Sequence, residues 1–305
     1  MTMREAEFKN GSANQSPQPM SVAEAYDTCR DLTRRSGSSF SAAFWLFSFE
    51  RRRAIYAIYA FCRLADDIAD DPSIRGDRSR LLERWRAELD AAYRGTATHP
   101  VGIALSDSIQ RFDLPRDVFD HLLRGIESDL RGEIIQTFSD LETYCYRVAS
   151  TVGLLVVALL GFRSPEVAEY AKTLGIAVQL TNVLRDVTTD AASGRIYLPR
   201  EDLERFGIAE SDLRLPIPTP ELRTLMAYYA EHARILFERA DASLSRENRQ
   251  DLRAARAMGR IYSRLLDELH RQGFRNRRAP GEPIRLSNRR RWFIAAGTWF
   301  GTSRA

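Results

Sequence analysis

The chain has 305 residues, 44% of them hydrophobic and 28% charged, an ordinary globular composition that excludes a collagen-like, fully disordered or disulfide-scaffold chain. Lys and Arg total 45 against 41 Asp and Glu, a net charge of +4, which is too weak a bias over this length to argue for nucleic acid. The cysteines Cys29, Cys62 and Cys145 form no close pair, which reads as a reducing compartment; the four histidines are scattered and no Cys/His group has zinc spacing. The longest strongly apolar stretch, Val152 to Phe162, falls short of the roughly 20 residues a spanning helix needs. Met1 to Met20 lacks the apolar core of a secretory signal. A cytoplasmic protein is the expectation.

Residues 1–20 hold Asn10-Gly11-Ser12 and Pro17/Pro19 and read as a disordered tail. Ser21 and Glu24 have capping-box spacing. From there the hydrophobic period is helical, and no sustained period-2 run is bounded by turn residues. Helices are predicted at roughly 21–35, 39–47, 50–70, 77–94, 99–112, 115–129, 138–161, 164–187, 200–206, 219–243 and 249–272. Asp113 and Ser164 stand where N-caps are expected, each before a proline-started helix. The organisation expected is an all-α domain over 21–277, between the N-terminal tail 1–20 and a basic, aromatic C-terminal tail 278–305.

Two helices carry chemistry. In the first, Asp66 and Asp70 are i,i+4 and share a face, with Tyr59 and Arg63 preceding them on the same side. Stacked like charges are unfavourable; a divalent cation reverses that sign. In the second, Asn182, Asp186 and Asp190 are i, i+4 and i+8, with Gln179 one turn earlier and Arg185 beside them. All are oxygen donors, the set that suits Mg²⁺, which in turn shares phosphate oxygens with a substrate. Arginine adds charge-assisted hydrogen bonds to the same phosphate. The plain alternative for the first row is a solvated helix end. The second row follows an apolar run, Leu174 to Leu184, which makes that alternative weaker.

These stretches resemble the squalene/phytoene synthases, the head-to-head prenyl synthases. The resemblance rests on Tyr59-Ala-Phe-Cys-Arg-Leu-Ala-Asp-Asp-Ile-Ala-Asp70, Tyr144-Cys-Tyr-Arg-Val-Ala-Ser-Thr-Val-Gly153, Gln179-Leu-Thr-Asn-Val-Leu-Arg-Asp-Val-Thr-Thr-Asp190 and Gly194-Arg-Ile-Tyr-Leu-Pro199. It implies a single isoprenoid-synthase helical domain around a central apolar cavity. It implies Mg²⁺ held by Asp66, Asp70, Asn182, Asp186 and Asp190, and diphosphate contacts from Tyr59, Arg63, Arg185 and Tyr262. Ser39 and Phe40 match a Ser-x-Ser-Phe segment near a diphosphate, Gly37 departing from that pattern. Tyr144 and Gln179 match residues near the reacting carbons. A second departure is Pro283, where relatives usually carry an arginine.

The reaction so implied is Mg²⁺-dependent condensation of two prenyl diphosphates with loss of diphosphate and closure of a cyclopropane. Water quenches such a cation, so the site must be apolar and closed; Phe40, Phe44, Ala149, Val152, Leu155 and Leu180 are wall candidates. Met258 to Asp267 and Ile284 to Arg289 resemble the hopanoid-linked presqualene branch, so two farnesyl diphosphates giving a C30 product is the expectation. Phytoene from two geranylgeranyl diphosphates is the alternative, and a non-catalytic helical partner protein is the rival of another class. NADPH enters only if the reaction runs on to squalene. The segment Arg289 to Phe300 joins basic and aromatic residues, a candidate peripheral membrane contact; its alternative is packing back on the domain. No nucleic-acid partner is expected, and the sequence leaves the oligomeric state open.

Overall fold

The computed structural model describes residues 20–35, 47–71 and 73–275. Residues 39–46 of the predicted helix 39–47, with Ser39, Phe40 and Phe44, lie outside them, as do Pro283, residues 1–19 of the N-terminal tail and the C-terminal tail. The described residues are helical and turn, with no strand among them, so the fold is all-α. They fall into two compact units.

The first unit runs to Arg131 and includes Leu155–Phe162. Helix α1 (Val22–Arg35) opens with the expected capping box: Ser21 N–H donates to Glu24 Oε2 at 2.9 Å, and Glu24 N–H donates to Ser21 Oγ at 3.3 Å. Helix α2 (Phe49–Asp70) is the unit's spine and buries Ala54 to Ile58, Phe61 and Leu64. Helices α3 (Arg78–Arg94), α4 (Pro100–Phe112) and α5 (Arg116–Arg131) pack on it. At the centre Phe61 stacks on Trp85 at 5.1 Å and meets Phe119 edge-on at 5.4 Å. Such pairs add about 1 kcal/mol each beyond their buried area.

Asp113 corrects the sequence reading. It is no N-cap: it ends α4 in the left-handed region, at φ 50. The chain must reverse before Pro115, and aspartate tolerates that conformation better than most residues. The cap nearby is His99, whose Nδ1 accepts the Val101 N–H at 3.2 Å at the start of α4.

The second unit comprises residues 132–154 and those from Arg163 onward. Helix α6 (Phe138–Cys145) starts at a Thr137/Asp140 capping box. A π-helical turn (Tyr146–Ser150) leads into α7 (Thr151–Leu159), whose last five residues cluster with the first unit. Helix α8 (Pro165–Ala192) is capped by Ser164 as expected, Oγ accepting the Val167 N–H at 3.4 Å. Then come α9 (Arg200–Arg205), a 3₁₀ turn (Asp212–Arg214), α10 (Pro220–Ser243), α11 (Arg246–Asp251) and α12 (Arg253–Arg271).

Helix α8 is the core of this unit. The π turn, α6, α10 and α12 all pack on it, and it buries residues on most of its circumference between Val167 and Val187. Such wrapping needs an apolar helix rather than an amphipathic one, and the Leu174–Leu184 run supplies it. Three predicted boundaries change. The segment 138–161 is interrupted by the π turn. The segment 164–187 continues to Ala192, so Asp190 sits in the last helical turn. The segment 249–272 breaks at Leu252, where ψ is 21. Among the described residues no helix is long and apolar enough to cross a membrane.

Candidate active site

The α2 row comes first. Asp66 is half-buried and Asp70 exposed, one turn apart near the C-terminal end of the helix. That end carries the negative pole of the helix and has no basic residue in its last turn. Arg63 Nη2 pairs with Asp67 Oδ1 at 2.5 Å. Burial, then the charge of Asp70, pushes the Asp66 carboxyl up to about 8; Arg63 opposes, while Asp129 on α5 and Asp67 add to the rise. The row therefore crowds carboxyls together, and it is the ionised form of Asp66 that this crowding disfavours. Asp129 has no helical spacing to Asp66 and was missed in the sequence. Tyr59 lies half-buried two turns before Asp66.

The α8 row is organised differently. Asn182 Nδ2 donates to Gln179 Oε1 at 3.1 Å. Asn182 Oδ1 is buried with no hydrogen-bond partner. Arg185 grips Asp186 with both arms of its fork, Nε to Oδ1 at 2.9 Å and Nη2 to Oδ2. Burial pulls the Arg185 guanidinium down, but the hydrogen bond and charge of Asp186 outweigh it and hold it raised. Tyr262, on α12, is buried and hydrogen-bonded to Arg185; burial raises its phenol, against the lowering pull of Arg185 and Asn182. So Gln179, Asn182, Arg185, Asp186 and Tyr262 form one contiguous polar group.

Asp190 joins a second small cluster. Past the end of α8 the chain turns at Gly194, φ 83, and Arg195 N–H donates back to the Asp190 carbonyl at 2.8 Å. Asp190, Arg195, Ile196 and Tyr197 then line a recess just large enough for a water molecule, about 10 Å³. Tyr144, from α6, stacks on Tyr197 with ring centres 4.7 Å apart and planes at 22°. Tyr197 and Arg195 were not singled out in the sequence, though both lie in the Gly194–Pro199 stretch. Of the wall candidates, Ala149 and Val152 are half-buried, whereas Leu155 and Leu180 are fully buried.

The donors fit a hard divalent cation. They are carboxylate and amide oxygens, α2 crowds carboxyls around Asp66, and a buried amide oxygen on α8 lacks a partner that such atoms ordinarily have. Among the described residues no three His, Cys, Asp or Glu side chains form a closed cage. Magnesium uses few protein ligands and keeps sites for water and phosphate oxygens.

Residues 33–290 match the model of the squalene/phytoene synthase family, and the chain belongs to that family, whose members are prenyltransferases. Its relatives include both presqualene diphosphate and phytoene synthases. It is 38% identical over 251 residues to the presqualene diphosphate synthase of Rhodopseudomonas palustris, covering 82% of this chain and 88% of that one. It is 36% identical over 273 residues to the 15-cis-phytoene synthase of Synechocystis, covering 85% and 81%. The match to the chloroplastic phytoene synthase 1 of Zea mays spans 84% of this chain but 64% of the maize protein. Among solved structures, a dehydrosqualene synthase in complex with ligand superposes with a TM-score of 0.79 at 30% identity, over 91% of this chain and 96% of that one. A squalene synthase from Alicyclobacillus acidocaldarius gives 0.74 at 32% identity, over 83% and 96%.

Proposed function

We propose that the chain condenses two farnesyl diphosphates head to head, releasing diphosphate and forming presqualene diphosphate. The observation that carries this reading is the α8 group: an unpaired buried amide oxygen on Asn182, set among Asp186, Arg185 and Tyr262. A buried amide oxygen without a partner costs about 1–3 kcal/mol, and a ligand that brings a cation to it would offset that cost.

The metal ligands proposed are Asp66 and Asp70 on α2 and Asn182, Asp186 and Asp190 on α8. Mg²⁺ held by either row would carry diphosphate and favour its departure. In this reading Arg63 and Arg185 pair with the released diphosphate, and Tyr59 and Tyr262 donate hydrogen bonds to it. Burial keeps the Tyr262 phenol protonated, so it is a donor in this reading and not the base. Tyr144 and Gln179 orient the reacting carbons. Half-buried Ala149 and Val152 exclude water from the allylic cation.

The C30 product is favoured by the 38% identity to the presqualene diphosphate synthase and by the two squalene-type structures. The second reading, phytoene from two geranylgeranyl diphosphates, is favoured by the phytoene synthases at 34–36% identity. Purified protein, Mg²⁺ and each substrate in turn, with and without NADPH, separate the two by mass spectrometry. A C30 product from farnesyl diphosphate is expected, stopping at the cyclopropyl diphosphate without NADPH. Phytoene alone overturns the C30 reading. No turnover of either substrate overturns the enzymatic one.

A further inference from the structure

The π turn at Tyr146–Ser150 is built rather than accidental. Thr151 N–H passes over the Arg147 carbonyl, its α-helical partner, and donates to the Tyr146 carbonyl. The Arg147 carbonyl accepts the Thr151 hydroxyl instead, Oγ1 to O at 2.7 Å. The next residue back, Ser150, donates its Oγ to the Lys172 carbonyl of α8 at 2.7 Å. Both side chains are fully buried, at 0% exposure. Opposite them α8 carries Gly175, where a Cβ would stand 2.4 Å from Ser150 Cα and 2.6 Å from Ser150 N. No side chain fits there, because the obstacle is backbone.

A π turn puts one additional residue into a helix. Relative to an unbroken α-helix, one residue turns everything on one side of it by roughly 100° about the axis. On one side here is Tyr144, stacked on Tyr197. On the other are Val152 and Leu154, apolar and half-buried.

We infer that Thr151, Ser150 and Gly175 are positioning residues: together they hold the extra residue of the π turn and so set the angle of Tyr144 relative to the apolar side chains of α7. The proposal rests on the prenyl-transfer reading of the site. None of the three needs to touch substrate. Their effect is on the geometry of the chemical step, so they act on turnover and not on substrate capture.

The test compares Thr151→Val with Thr151→Ser. Valine keeps the shape and removes the hydroxyl from the Arg147 carbonyl; serine keeps the hydroxyl. With farnesyl diphosphate and Mg²⁺, well below the unfolding temperature, Thr151→Val is expected to lower kcat by about tenfold with KM changed less than about twofold. Thr151→Ser should restore most of kcat. Gly175→Ala is expected to be the more damaging change; if it fails to fold, the threonine pair still decides. An active wild-type chain with equal kcat in the valine and serine variants overturns this inference alone. So does a valine variant that loses thermal stability but keeps kcat. A wild-type chain inactive on prenyl diphosphates overturns both this and the proposed reaction.

Discussion

On α2, Asp66 meets Asp70, Asp67 and Asp129, and Arg63 is drawn to Asp67. On α8, Asp186 is held by both arms of Arg185, which also hydrogen-bonds Tyr262. Both rows offer hard oxygen donors, yet on α2 the ionisation of Asp66 is disfavoured, whereas on α8 the charge of Asp186 is met by Arg185. A row of the first kind takes up a proton, or a cation in its place. A row of the second kind holds its shape beforehand and has one uncommitted oxygen, Asn182 Oδ1, to offer.

The contrast is broken most sharply by removing one carboxylate from each row. Asp66→Ala and Asp186→Ala should both abolish detectable product at saturating Mg²⁺, a loss of at least about a thousandfold if each stabilises charge in the transition state. Mass-spectrometric product assay reads it, and turnover kept by either variant removes that residue from the metal set.

Their stabilities should then part company. Asp186→Ala leaves the Arg185 guanidinium, 19% exposed, without its partner, a loss of up to about 3 kcal/mol. Asp66→Ala removes a carboxyl whose ionisation burial and Asp70 disfavour, and should leave metal-free stability unchanged or higher. Urea unfolding in EDTA compares the two, and equal losses would show that the rows do not differ as described.

A pH series sharpens the same point. The Asp66 carboxyl rises from 3.8 to about 8 on folding, so between those values the folded chain binds a proton that the unfolded chain does not. Stability of the metal-free protein therefore falls as pH rises through that window. The melting temperature in EDTA should drop between pH 6 and pH 8, Asp66→Asn should flatten the drop, and Mg²⁺ should raise the wild-type value most at the alkaline end. A slope that survives Asp66→Asn assigns it elsewhere.

The smallest expected effect is Tyr262→Phe. It deletes one hydrogen bond to Arg185 and should lower stability by about 1 kcal/mol. A several-fold rise in KM for farnesyl diphosphate would accompany it if the phenol donates to substrate, and an unchanged KM would confine Tyr262 to bracing Arg185.

Much of this was legible in the sequence because helical spacing is arithmetic. Residues i and i+4 share a face wherever a helix forms, which brought out Asp66 with Asp70 and Asn182 with Asp186. The Ser21/Glu24 box and the Ser164 cap were readable for the same local reason. What escaped was set by distant neighbours. Asp129 bears on Asp66 only because α5 packs on α2. Tyr262 was named by resemblance, but its bond to Arg185 depends on α12 lying along α8. The π turn left no periodic trace, since one additional residue in a short apolar run resembles ordinary drift. Its signals, buried Ser150 and Thr151 and the distant Gly175, gain meaning only once α8 is seen against it. Asp113 failed as a cap because the rule reads residue type, whereas the reversal before Pro115 needed a left-handed residue.

The three cysteines have a practical consequence. Cys29, Cys62 and Cys145 are unpaired and buried, and burial pushes each thiol well above its ordinary range, so the native chain presents no thiolate to an alkylating reagent. Their modification by iodoacetamide becomes a clock for opening of the fold, with Cys29 and Cys62 timing the first unit and Cys145 the second. A cysteine engineered at an exposed helical site would react alone, giving a single point of attachment for a fluorophore without any native thiol being replaced.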